Sequence, residues 1–209
     1  MVTVNEYFQH IFIINRRART DRWEFCEEQI RRFNLKAERF EAYDHALIDG
    51  HVGGHGGCTS SHRAILDVIA YHQWPRTLIL EDDFKILHDD FHERFDSMIK
   101  EVPDTWDFLF LGGHYADAPQ RRISKHVIKF NRMMTTSSYG ITWQMARLMA
   151  PNIYGSAPID TLYFGFQPDH NCYIFQPRLI VQRESYSDLQ GCKSNNEPCM
   201  VDERHENLV

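Results

Sequence analysis

Three short apolar runs, Ile11–Ile14, Thr77–Leu80 and Phe108–Leu111, constrain the fold of this 209-residue chain more than any other feature. Each is an unbroken stretch of β-branched, leucine or phenylalanine residues that stops abruptly at polar residues or glycine. Runs that do not alternate and are too short for a buried helix read as strands covered on both faces, the habit of a parallel sheet. Between them the apolar period lengthens. Trp23, Cys26, Ile30 and Phe33 fall at helical spacing behind Asp21, which offers an N-cap with Glu24 three residues on. Ala64, Ile65, Val68 and Ile69 mark a second helix, capped by Thr59, Ser60 or Ser61 and running to about His72. Phe91, Phe95, Met98 and Ile99 mark a third, starting at Asp89 or Asp90 and stopping before Pro103. Strands alternating with helices predict an α/β fold with a Rossmann-like, mostly parallel central sheet flanked by helices.

Lys36–Ala42, Val127–Phe130, Ser138–Thr142, Tyr173–Phe175 and Leu179–Val181 read as further strands, and Trp143–Met149 as a helix stopped by Pro151. Gly50–Gly57, GHVGGHGG, holds five glycines in eight positions and is expected to be a loop. It is no P-loop, since no Lys-Ser/Thr follows at the required spacing, and the H-x3-H spacing among His51, His55 and His62 falls in a glycine loop rather than on a helix face, which argues against a zinc site. From Gly191 onward the pattern is polar and aperiodic. The expected organisation is one domain over 1–190 and a polar tail or linker over 191–209, with further domains of a longer chain as possible partners.

The chemistry starts at TLILEDDF, where an apolar strand runs into three carboxylates. Two like charges roughly 4 Å apart repel by about 4 kcal/mol at an effective dielectric of about 20, so either a cation, usually divalent, offsets the repulsion or the three side chains point apart into water. In an open parallel sheet ligands bind beyond the carboxyl ends of the strands. Three such ends here carry polar groups or glycine: Asn15-Arg16-Arg17, Glu81-Asp82-Asp83 and Gly112-Gly113-His114. One rim would then hold acids for Mg²⁺ or Mn²⁺, arginines for phosphates, and glycines that admit a ligand near the backbone. A nucleoside diphosphate ester suits it. A net charge of −6 gives no basic field for a nucleic-acid partner. No apolar run near the N-terminus is long enough for a signal core or a membrane span, and five cysteines without a regular framework suit free thiols in a reducing compartment. A soluble, cytoplasmic protein is expected.

FIINRRARTDRWEF, ERFEAYD, GCTSSHRAIL, LILEDDF, FLFLGG, TTSSYGIT, Pro158–Asp160 and FQPRLIVQ resemble, in that order, glycosyltransferase family 25, the lipooligosaccharide and procollagen sugar transferases, or a virus-encoded glycosyltransferase domain of that kind. The likeness spans roughly Ile11 to Asp188. It implies a GT-A fold, an inverting transfer from a UDP-sugar to a glycan acceptor, and Mn²⁺ or Mg²⁺. Glu81-Asp82-Asp83 stands where such enzymes have D-x-D, with glutamate replacing the first aspartate. The resemblance gives Asp83 direct contact with the metal, Glu81 a water of the ion, and Asp82 the ribose or sugar. It puts Asn15, Arg16 and Arg22 at the nucleotide, Ala42, Tyr43 and Asp44 around the base, and Ser61 and His62 before the donor. Asp160 is the implied base, with capping of a helix from Thr161 as its other reading; Gln182 is implied to bind donor or acceptor. Asp169 and His170 are further metal candidates. Two other functions fit the same residues: a metal-dependent phosphoester hydrolase, and a non-catalytic module that binds a nucleotide sugar or glycan.

Overall fold

The computed structural model describes residues 1–44, 55–117, 121–187 and 191–201. The chain opens with α1 (Val4–Tyr7), held by a reciprocal Thr3–Glu6 capping box, and enters β1 (His10–Asn15). Helix α2 (Thr20–Arg32) begins two residues earlier than expected. Its N-cap is Arg19, and Asp21 lies in the first turn, paired with the Arg19 guanidinium at 2.8 Å. Next come β2 (Glu38–Glu41), α3 (His55–His72), β3 (Thr77–Glu81), β4 (Phe84–Ile86), α4 (Phe91–Ile99) and β5 (Phe108–Phe110). Then β6 (His114–Tyr115), β7 (Arg121–Arg122), β8 (Val127–Lys129), β9 (Met133–Met134) and β10 (Ser138–Ile141) lead to α5 (Trp143–Met149), whose N-cap Thr142 accepts from the Met145 N–H. Last are α6 (Ile159–Tyr163), β11 (Cys172–Phe175), β12 (Ile180–Gln182), β13 (Ser185–Ser187), β14 (Cys192–Ser194) and α7 (Glu197–Val201).

Eight strands form the central sheet in the order β2-β1-β3-β10-β5-β11-β8-β7. The expectation of an α/β fold with a mostly parallel central sheet holds, with one refinement. Six strands run the same way, while β10 and β8 run against them, so β10 sits antiparallel between β3 and β5.

The unbroken apolar runs follow from burial on both faces. Ile11, Ile13, Leu78, Leu80, Leu109 and Leu111 face one core layer, with Phe95 and Met98 of α4. Phe12, Ile14, Ile79, Phe108 and Phe110 face the other, with Ile65 and Ile69 of α3 and Met145 of α5. Alternate residues of each strand thus enter opposite layers, which is the period of two that a pleated strand imposes. Burying each large apolar side chain contributes about 1.5–3 kcal/mol, so the two layers dominate the stability.

Two regions differ from expectation. Helix α3 starts at His55 rather than behind Thr59, so Gly56 and Gly57 form its buried first turn; Gly50–Gly54, with His51, lie outside the described residues. Glycine costs about 1 kcal/mol in a helix, but here packing offsets it: Ser61 Oγ donates to the Gly57 carbonyl at 2.7 Å, and Thr59 Oγ1 donates to the Ala157 carbonyl ahead of α6. Residues 191–201, polar and aperiodic in sequence, carry β14 and α7. Met200 is buried there, and its sulfur accepts from the Gln182 N–H.

Candidate active site

Strand β3 ends at Glu81, and the next two residues leave the sheet before β4 pairs with β12. The three carboxylates separate there. Glu81 and Asp83 line a cleft of about 160 Å³, together with Thr136 before β10, Asp160 of α6, Gln182 of β12 and Asn196 ahead of α7. Asp82 turns the other way.

Asp83 is 3% exposed. Its Oδ2 accepts from Gln182 Nε2 at 2.9 Å and from Arg22 Nη1 at 3.3 Å, while Oδ1 is buried with no partner among the described residues. Burial first, and the neighbouring Glu81 charge second, push its pKa up to about 7. Glu81 shows the opposite outcome. Burial raises its pKa, but the neighbouring His62 imidazole and the Thr136 hydroxyl outweigh burial and hold it below the usual range. Of the pair, Glu81 ionises first and Asp83 keeps its proton longer.

Asp82 is saturated. It accepts from Asn15 Nδ2 at 2.6 Å and from Arg22 Nη1, and its pKa is raised by burial against the pull of Arg22. Asn15, 1% exposed, also donates to the Arg19 carbonyl and accepts from Arg39 Nη2. Arg22 donates to Asp82, Asp83, Ser185 Oγ and the Tyr186 carbonyl. Every polar side-chain atom of Asp82 and Asn15 is therefore already engaged within the protein. Both hold Arg22, and Arg22 holds the strand end.

The other predicted residues divide similarly. Ser61 is fully buried and accepts from the Tyr43 N–H at 2.9 Å, which ties α3 to the chain after β2. His62, also fully buried, shares a 2.8 Å hydrogen bond with the Tyr139 hydroxyl through Nδ1, and Tyr139 bonds Tyr163. Its Nε2 lies 3.3 Å from Glu81 Oε1 but makes no well-directed hydrogen bond. So Ser61 and His62 act from beneath the cleft rather than in it. Ala42 donates its N–H to the Asn15 carbonyl, Tyr43 is 47% exposed, and Arg16 pairs with Asp44. Asp160 sits in the first turn of α6, Pro158 being the N-cap, and its carboxylate accepts from the Thr161 N–H at 2.8 Å. The helix thus begins two residues before Thr161 with Pro158 as its cap, so Asp160 is not the N-cap expected of it. Asp169 and His170 are not part of the cleft lining.

The glycine turn after β5 has a different purpose from the expected one. A Cβ on Gly112 would fall 1.8 Å from the Ile180 carbonyl oxygen, so this glycine admits β12, which delivers Gln182, and not a ligand. Arg178, 5% exposed, fixes that turn by donating to the Gly113 carbonyl. Sequence reasoning missed Cys58, Thr136, Ser185, Ser194 and Asn196 of the cleft. None carries a motif of its own.

Comparison with known proteins decides the family. Residues 52–162 match the model of glycosyltransferase family 25 (LPS biosynthesis protein), more than half of the chain. The chain belongs to glycosyltransferase family 25. A curated relative, the procollagen lysyl hydroxylase and glycosyltransferase of Acanthamoeba polyphaga mimivirus, is 26% identical over 196 residues, covering 81% of this chain and 21% of the relative. The chain thus spans about a fifth of the length of that curated relative. Among solved structures, a glycosyltransferase involved in glycosylation of the major capsid of PBCV-1 aligns with 80% of this chain and 93% of its own at TM-score 0.40 and 10% identity. The Drosophila galactosyltransferase 7 D211N mutant, complexed with manganese, UDP-Gal and xylobiose, aligns with 95% of this chain and 73% of its own at TM-score 0.42 and 9% identity. Likenesses this distant locate no functional residue. Among the described residues of this family 25 chain, no helix is long and apolar enough to cross a membrane.

Proposed function

We propose that this family 25 chain transfers a hexose from a UDP-sugar to a glycan hydroxyl with inversion at the anomeric carbon, assisted by Mn²⁺ or Mg²⁺. The observation that carries the reading is that Glu81, Asp83, Gln182 and Asp160 meet in one cleft where Asp83 Oδ1 is buried without a partner. Two carboxylates facing one space, one with an orphaned oxygen, fit a hard divalent cation, with Asp83 and Glu81 as its holders. When bound, such an ion supplies counter-charge to the departing diphosphate.

The remaining work falls to the chain itself. Gln182 Nε2 fixes the Asp83 carboxylate, and Asn196 Nδ2 fixes Gln182 by donating to its Oε1 at 2.6 Å. Asp160, partly exposed to the cleft, takes the proton of the acceptor hydroxyl as its oxygen bonds the anomeric carbon and the bond to UDP breaks. Of the two arginines, Arg16 with Asp44 and half-exposed Tyr43 is assigned to the nucleotide, because Arg22 is committed to the strand end. At about 160 Å³ the cleft takes in only part of such a donor, since pockets for whole small ligands run from about 300 Å³.

Calorimetric titration with UDP, with and without Mn²⁺, tests the donor end. Wild type should bind in a metal-dependent way and Asp83→Ala should not; absence of UDP binding under every metal condition would overturn the reading. The chemistry is tested by Asp160→Asn, which should keep donor binding while transfer falls about 10²–10⁴-fold. Unchanged turnover would remove Asp160 as the base. Release of phosphate from simple esters would favour the hydrolase, and donor binding without turnover on any acceptor would favour the binding module.

A further inference from the structure

Cys58 and His62 stand four residues apart on α3, so their side chains share a face of the helix, and that face meets the end of β3 at Glu81. One ligand atom from each of the three residues lies within 4.8 Å of the other two. Three atoms so placed share a point within about 2.8 Å of all of them (4.8 Å divided by √3). Zinc bonds to sulfur, nitrogen and oxygen run about 2.0–2.3 Å, so small rotamer adjustments close the site. The imidazole supplies an independent observation. His62 is fully buried, its Nδ1 is engaged by the Tyr139 hydroxyl, and its Nε2, on the Glu81 side, has no well-directed partner. A ring nitrogen oriented by a hydrogen bond on the opposite nitrogen is how ligating histidines are held.

We propose that Cys58 Sγ, His62 Nε2 and a Glu81 carboxylate oxygen form a second metal site, for Zn²⁺ or a similar borderline cation, distinct from the hard-cation pair of Asp83 and Glu81. Thiolate and imidazole select for this class over Mg²⁺ or Mn²⁺. Cys58 gives its thiol proton to solvent as the metal–sulfur bond forms. Cys58 and Glu81 both line the cleft, so the fourth coordination position faces it. Glu81 is common to both sites, which makes Zn²⁺ a competitor for the hard cation.

The test uses Co²⁺ as a spectroscopic stand-in and Zn²⁺ as the competitor, on the whole purified protein. Wild type should show a sulfur-to-cobalt absorption band that Zn²⁺ abolishes. Cys58→Ser should lose the band while keeping its circular dichroism spectrum and its Mn²⁺-dependent UDP binding, and Zn²⁺ affinity should fall at least tenfold. Asp83→Ala should lose UDP binding yet keep the band, so failure of the donor assignment and failure of this site are told apart. Two outcomes overturn the proposal: no band in wild type that still binds UDP with Mn²⁺, or a band that survives Cys58→Ser.

Discussion

Asp82 and Asp83 are chain neighbours with opposite surroundings. Asp82 meets an amide and a guanidinium, and its two oxygens are taken by Asn15 and Arg22. Asp83 faces the cleft with one oxygen unpartnered, shares Arg22 only at 3.3 Å, and stands beside the Glu81 charge. The alternation of side chains that sorts the sheet's apolar residues into two core layers continues through the acids and sorts them as well. One side neutralises its charge internally and becomes an anchor. The other keeps only the longer, 3.3 Å ion pair with Arg22 and one unpartnered oxygen, so its charge is compensated in part, which costs stability and gains a place for a cation.

The largest effect should come from breaking the anchor. Arg22 is 12% exposed at its side chain, and Arg22→Ala would leave Asp82 buried without its cation. Losing one partner of a buried pair costs about 3–5 kcal/mol, readable as a lowered urea midpoint at unchanged slope. A loss under about 1 kcal/mol would mean that the two sides are not different in kind.

Asp83→Asn should act in the reverse direction. Its folded pKa of about 7 lies above the ordinary 3.8, so native Asp83 favours folding below about pH 4 relative to higher pH, and that contribution disappears as pH rises through 7. In metal-free protein the substitution should therefore raise Tm by several degrees at pH 8 and leave it unchanged near pH 4. A Tm that falls at pH 8 would show that Asp83, like Asp82, is an anchor.

Much of this was legible in the sequence, and the illegible parts have physical reasons. The runs at Ile11, Thr77 and Phe108 could be read because strands covered on both faces leave no room for polar residues. The reversed direction of β10 could not, since SYGI has the same pattern whichever way it runs. Glu81, Asp83, Asp160 and Gln182 were picked out and do share a cleft. The turning of Asp82, Asn15 and Arg22 toward one another was hidden, because a row of three acids does not say which one faces inward. Cys58 was obscured by the glycines before it, which argued for a loop where the helix had already begun, and His62 was picked out for the donor although it lies fully buried beneath the cleft. Ser194 and Asn196 lie in a stretch without period, where only tertiary contact reveals a role.

That last segment offers the finest test of the contrast between anchor and cleft. Asn196 Nδ2 donates to Gln182 Oε1, and Gln182 Nε2 donates to Asp83 Oδ2, so the cleft-side aspartate adds a chain of two neutral hydrogen bonds to its longer ion pair with Arg22. A neutral hydrogen bond contributes about 0.5–1.5 kcal/mol. Asn196→Ala should therefore raise the donor KM by about three- to tenfold with kcat nearly unchanged, because Gln182 is loosened while Asp160 is untouched. If kcat falls instead and KM holds, the segment from 191 to 201 acts on the transfer step itself, and the cleft is as tightly built as the anchor.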